Sequence, residues 1–299
     1  MIFAGIITGV IAAFMQSCSY LASRFFLSRH MSPMGLFILS HITMGLISLV
    51  MLPFFFPENP PPFSKYVLPL CGMSFFYMGG QLAFFRAIKY AEASRVSPLL
   101  GIKAVILTVL SSVFLGCSYT YLQWLSVFLC VSSAFVLNWS GGSMPIRSIM
   151  WTFAACFGYS LSDLSIKSTV DCFPEMGIIQ RSLLSVFMCY LICGFTGLCL
   201  LFFFRRNVSY RAARDSLPFS ILWMGSMFFL FTCFAQIGPV FGNIIQSSRG
   251  IISIVIGLAA ASLGFVALEQ KTSGSVFTRR LVAAVMMTLA ICMFYYGAK

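Results

Sequence analysis

Apolar runs of about twenty residues recur along almost the whole chain, broken only by short polar or basic turns. That pattern leaves few folds open. A helix crossing the hydrocarbon of a bilayer needs ~20 apolar residues, whereas a barrel strand would be a ~10-residue stretch of alternating character. The runs here are continuous, so helices are expected. Only 9% of the 299 residues are charged and 60% are hydrophobic, against about 25% charged in a soluble domain. Too few polar groups exist to cover a globular surface, and lipid must be the solvent. The reading is an all-α membrane protein with about ten transmembrane helices.

The expected spans are Ile2–Leu27, Pro33–Phe56, Tyr66–Tyr90, Glu92–Gly116 and Tyr119–Trp139, then Ile146–Thr169, Met176–Phe204, Leu217–Ile237, Asn243–Phe265 and Val276–Gly297. The N-terminal run has no basic n-region and no small-residue cleavage site, so it is read as a first transmembrane helix rather than a removable leader. Between the second and third spans lies the Pro-rich loop FPENPPPF, which favours an extended connection. Ser140-Gly141-Gly142-Ser143 is the best internal boundary, a flexible link that divides the chain into 1–140 and 141–299.

The two halves echo each other in order. SYLASR at Ser19–Arg24 matches SDLSIK at Ser162–Lys167, and Pro33-Met34-Gly35-Leu36 returns as Pro174-Glu175-Met176-Gly177-Ile178. Tyr77-Met78-Gly79 returns as Trp223-Met224-Gly225, and Leu115-Gly116 as Leu263-Gly264. The near-constant separation of these echoes points to an internal duplication. Five helices per half is an odd number, which makes the repeats inverted and places a site near the midplane where they meet.

Orientation follows from Lys and Arg. Odd-numbered connections and their flanks hold Arg24, Arg29, Arg86, Lys89, Arg95, Arg147, Arg205, Arg206, Arg211, Arg214, Lys271, Arg279 and Arg280. The opposite side holds Lys65, Lys167, Arg181 and Lys299. This asymmetry sets the odd connections in the cytoplasm and both termini outside. It also accounts for the net charge of +12 without nucleic acid as a partner. The eleven cysteines show no CxxC and no metal spacing, so no disulfide framework, metal site or cofactor is implied.

The passage ASRVSPLL…LSSVFLGCSYTYLQW, Ala93–Trp124, resembles the drug/metabolite transporter superfamily of EamA type, and the likeness extends over essentially the whole chain. The family usually reads LGE before the turn, with a QW-like pair some residues later. Leu115-Gly116 and Gln123-Trp124 fit, but Cys117 stands where the acid belongs. In the second half Leu268-Glu269-Gln270 retains an acid without the preceding glycine, and Arg181 fits an arginine common in the second helix of a repeat. The resemblance implies two inverted five-helix repeats and transport of a small metabolite. Amino acids, nucleotide-type compounds, sugars and drugs all occur among the family's cargoes, so the cargo stays open.

Within the apolar spans a few residues stand out chemically. A cation inside the membrane costs at least ~2.5–3.5 kcal/mol on insertion scales and is a functional candidate by default. Lys103 lies roughly 12 Å deeper than Arg95 at 1.5 Å per residue. Arg249 lies inside the ninth span, and aligning the halves brings it within about one turn of Lys103. The pair would attract a carboxylate or phosphate; the plainer alternative is that each neutralises an internal acid or bonds freed carbonyls. Asp163 is the acid well inside a helix, and Lys167 one turn on can pair with it. Asp163 and His41 are also candidates for proton coupling. Tyr77, Gln81, Tyr159, Asn243 and Gln246 are read as substrate contacts, with interhelical hydrogen bonding as their alternative role.

The function expected is a secondary active or exchange transporter for a small anionic or zwitterionic metabolite, in the cytoplasmic (inner) membrane of a bacterium, as a monomer or homodimer in lipid. No GxxxxGK[ST] motif is present, so direct ATP drive is not expected. The alternatives are an integral membrane enzyme on lipid-linked substrates and a non-transporting subunit of a membrane complex. Seven acids and two histidines, scattered without ligand spacing, argue against the enzyme.

Overall fold

The computed structural model describes residues 2–90, 100–138, 145–204, 209–249, 251–252, 255–256 and 274–298. Its helices are α1 (Ile2–His30), α2 (Pro33–Phe55), α3 (Phe63–Tyr90), α4 (Lys103–Leu115), α5 (Tyr121–Asn138), α6 (Ile146–Asp171), α7 (Ile178–Phe203), α8 (Tyr210–Ile237), α9 (Pro239–Gln246) and α10 (Gly274–Gly297), with no strand among the described residues. Several of the sequence features lie outside the described residues, among them Ala93–Leu99 with Arg95, the Gly/Ser link at Ser140–Ser143, Leu263-Gly264 and Leu268-Glu269-Gln270.

Local chemistry sets most of the ends. Ser32 caps α2 by accepting from the Gly35 amide at 3.0 Å, and Pro33 opens the helix where its missing N–H costs nothing. Ser209 caps α8 in the same way, accepting from the Ala212 amide at 3.2 Å. The fourth and ninth spans differ from expectation. Regular α4 begins only at Lys103, after a 3₁₀ turn over Leu100–Ile102. α9 begins four residues before Asn243, because Gly238 breaks α8 and Pro239 starts the next helix at once.

Among the described residues five helices are long and apolar enough to cross a membrane: α1, α2, α3, α7 and α8. Shorter apolar helical stretches run over Leu100–Leu115, Tyr121–Val136 and Leu281–Gly297. Leu46, Leu49, Val50 and Phe54 of α2 and Phe195, Leu198 and Phe202 of α7 are exposed, as residues facing hydrocarbon would be. The most extensive helix pairings are α3 with α6, α1 with α8, α2 with α7 and α5 with α10. Shifting every helix number by five exchanges the first two pairs and returns each of the last two to itself. One buried cluster is built largely from α2, α3, α7 and α8, and a second from α4, α5, α9 and α10. α6, which carries Asp163 and Lys167, contributes to both and lies between them.

Candidate functional site

Lys103 stands at the first position of α4, which packs on α6. Its Nζ reaches Asp163 Oδ2 at 2.6 Å. Asn243 of α9 donates to the same oxygen at 2.7 Å and to the Pro239 carbonyl at 2.8 Å. One carboxylate therefore joins α4, α6 and α9. Removing an ion from water costs several kcal/mol, and close pairing with an added hydrogen bond is what makes a buried carboxylate tolerable. The Lys103 ammonium also sits 5.8 Å from the centroid of the Tyr159 ring, one turn before Asp163 on α6.

The expected partner of Asp163 is corrected here. Lys167 instead holds both oxygens of Asp171, at 2.7 and 2.8 Å, at the end of α6, and Arg181 of α7 approaches the same carboxylate at 3.9 Å. Lys167 has an acid one turn to either side. Asp163 is occupied by α4, whereas Asp171, at the half-exposed helix end, is open to Lys167.

Arg249 follows the end of α9 and is held by α1. Its Nη1 donates to Gln16 Oε1 at 2.8 Å, and Gln246 Nε2 donates to the same oxygen at 2.9 Å. The guanidinium lies 6.0 Å from the Tyr20 ring centroid, and Ser17 Oγ donates to the Arg249 carbonyl at 3.1 Å. No carboxylate among the described residues pairs with Arg249. The two cations are mounted alike. Aligning SYLASR with SDLSIK sets Tyr20 opposite Asp163 and, one turn earlier, Gln16 opposite Tyr159. Each cation thus contacts the same two positions, on α6 for Lys103 and on α1 for Arg249.

Aromatic groups join the two clusters. Tyr159, beside Lys103, belongs to one of them. Its ring is seated against Gly80 of α3, where an added Cβ would come 2.8 Å from Tyr159 Cδ1. Tyr20 meets Trp223 edge-on at 6.1 Å, and the Trp223 indole donates to the Tyr190 hydroxyl at 2.9 Å. Tyr190 lies 6.3 Å from the His41 ring. His41 Nδ1 must donate to the Phe37 carbonyl at 2.7 Å, since a carbonyl only accepts; Nε2 of the neutral ring then accepts from Tyr77 at 3.2 Å. Gln81 donates to that same tyrosine oxygen at 3.5 Å.

Exposure divides these residues into wall and support. Tyr20, Tyr77, Gln81, Lys103, Tyr159 and Arg249 keep partial exposure, while His41, Asp163, Asn243 and Gln246 are buried. The last two make interhelical bonds, and so does Gln16. Gln16, Tyr20, Tyr190 and Trp223 were not among the site residues read from the sequence. For the first two a signal existed, since they occupy the α1 positions equivalent to Tyr159 and Asp163.

A profile of the EamA-like transporter family matches residues 3–139. That stretch is similar to the EamA-like transporter family, which lies within the drug/metabolite transporter superfamily, whose members are transporters; the chain is an integral multi-pass membrane protein. No curated protein matches it. A solved crystal structure is similar over 99% of both chains, with a TM-score of 0.74 at 13% identity, which is a likeness of fold.

Proposed function

We propose that the chain is a secondary active or exchange transporter that moves a small anionic or zwitterionic metabolite across a bacterial cytoplasmic membrane. In this reading 1–140 and 141–299 are two inverted five-helix repeats that rock about a central site and expose it to each side in turn. The odd connections face the cytoplasm and both termini lie outside. Lys103, Arg249, Tyr77, Gln81 and Tyr159 face the cargo; Asn243 and Gln246 hold the elements that carry it. Asp163 and His41 are the groups through which a proton would couple. The metabolite and the surrounding lipid are the partners, and the working unit is a monomer or homodimer.

The observation that carries this reading is the equivalent mounting of the two cations. Each is bound to the first helix of the opposite half, at the same pair of positions. The exchange of helix pairings on a shift of five supports the repeat, and the family supports transport. Purified protein in liposomes tests it. Flux of small anions is expected, with loss of at least about tenfold in a Lys103→Ala/Arg249→Ala variant. Undiminished anion flux in that variant would remove the site from the proposal.

A further inference from the structure

We infer that the central site selects a ligand with a single negative charge, a monocarboxylate, over phosphate monoesters, amides and zwitterions. The inference rests on the proposed reading of the site and follows from its charge balance. On the proposed reading the site holds three ionised groups among the described residues: Lys103, Asp163 and Arg249. Lys103 and Asp163 touch at 2.6 Å and cancel. Among the described residues Arg249 meets neutral partners, the Gln16 amide oxygen at 2.8 Å and the Tyr20 ring at 6.0 Å. Both His41 nitrogens are engaged by Phe37 and Tyr77 and add no charge in the neutral ring.

One positive charge is left over. In a medium of low polarisability an unbalanced charge is costly, and a ligand that restores neutrality is favoured strongly. Arg249 has further N–H donors beyond the Nη1 contact with Gln16, arranged in the fork that suits a carboxylate. A phosphate monoester carries about −1.5 to −2 at pH 7. Its second charge would find no free cation unless it drew Lys103 away from Asp163. The ammonium of a zwitterion needs a carboxylate, and Asp163 is already shared between Lys103 and Asn243. The rings of Tyr20, Tyr77 and Tyr159 favour a flat apolar body on the ligand.

Binding to the detergent-purified full chain, by thermal shift and calorimetry, tests this with four phenyl probes that differ in charge. 3-Phenylpropanoate is expected to bind at least about tenfold tighter than 3-phenylpropanamide, phenylalanine or phenyl phosphate. Arg249→Gln should erase the preference for acid over amide, and Arg249→Lys should keep it at lower affinity. Asp163→Asn raises the balance to two positive charges and should turn the preference towards phenyl phosphate. The Arg249 variants decide the matter even where Asp163→Asn fails to fold. Tighter binding of the phosphate or the zwitterion by the unaltered chain overturns the inference. So does failure of the monocarboxylate to bind, or an acid-over-amide preference that survives Arg249→Gln. Liposome flux separates the two proposals: flux that favours phosphate esters leaves transport standing without this inference. Monocarboxylate binding without flux does the reverse.

Discussion

Breaking the Lys103–Asp163 pair from either side should cost about as much as removing both ions together. Truncating one member of a buried pair typically costs about 3–5 kcal/mol, because the surviving charge has no counterpart. The two sides are unequal here, with 22% of the Lys103 side chain exposed and 8% of Asp163. Asp163→Asn strands the ammonium, which can extend towards water along its own stem, so about 2 kcal/mol is expected. Lys103→Met strands the deeper carboxylate. Asn243 still donates to that carboxylate at 2.7 Å, which holds the cost to about 3 kcal/mol. The double variant leaves no uncompensated ion and should lose only about 2–3 kcal/mol, giving a coupling of about 2–3 kcal/mol. Reversible unfolding in mixed micelles, followed by tryptophan fluorescence, measures the cycle. Costs that add to within about 0.5 kcal/mol would refute the pairing, since independent sites behave that way.

Two further outcomes follow from local geometry. At the α2–α7 crossing a Cβ on Gly194 would lie 2.6 Å from Gly45 Cα and 3.1 Å from the His41 carbonyl. Gly194→Ala should therefore destabilise by about 1–3 kcal/mol in the same unfolding assay, and Gly45→Ala similarly. Gly79→Ala meets nothing within 4 Å, and should be neutral or stabilising by up to about 1 kcal/mol. In the link after α6, burial first and then the neighbouring Asp171 charge push the Cys172 thiol above its ordinary value, with Lys65 opposing. Less thiolate is then present at neutral pH, so maleimide labelling of Cys172, read by peptide mass spectrometry, should be slow at pH 7 and quicken as pH rises. Asp171→Asn should quicken it at pH 7, and an unchanged rate would contradict the assigned cause.

The helices were legible in the sequence where an apolar run ends in a charge or a turn. α8 shows where that rule fails. Its first seven residues read as loop because Arg211, Arg214 and Asp215 are charged, and the span was expected from Leu217. In the structure Ser209 caps the helix, and Asp215 reaches His30 at 2.9 Å and Arg29 at 3.5 Å at the end of α1. The extra turns are held by contacts with another helix, which no local pattern records. The same limit hid the partner of Asp163. Spacing on one helix offered Lys167, whereas the distance that decides the matter spans α4 and α6. Tyr20 is not among the site residues read from the sequence because an aromatic residue in an apolar helix ordinarily packs against its neighbours.

Duplication by itself would give the two halves matching cation sites, and the departure from that symmetry gives the centre its sign. At the position shared by Tyr20 and Asp163, one half supplies a ring and the other a carboxylate. At the position shared by Gln16 and Tyr159, an amide oxygen and a ring take the reverse arrangement. Each cation therefore has one polar partner and one aromatic partner, but among the described residues only Lys103 meets a charge. Acids in both places would leave the centre neutral. Rings or amides in both would leave two uncompensated cations in low dielectric, a costly state in the absence of ligand. One acid and one amide leave a single positive charge, supported by Gln16 and the Tyr20 ring. On the proposed reading, an Asp163→Asn exchange would change which anions the centre can neutralise.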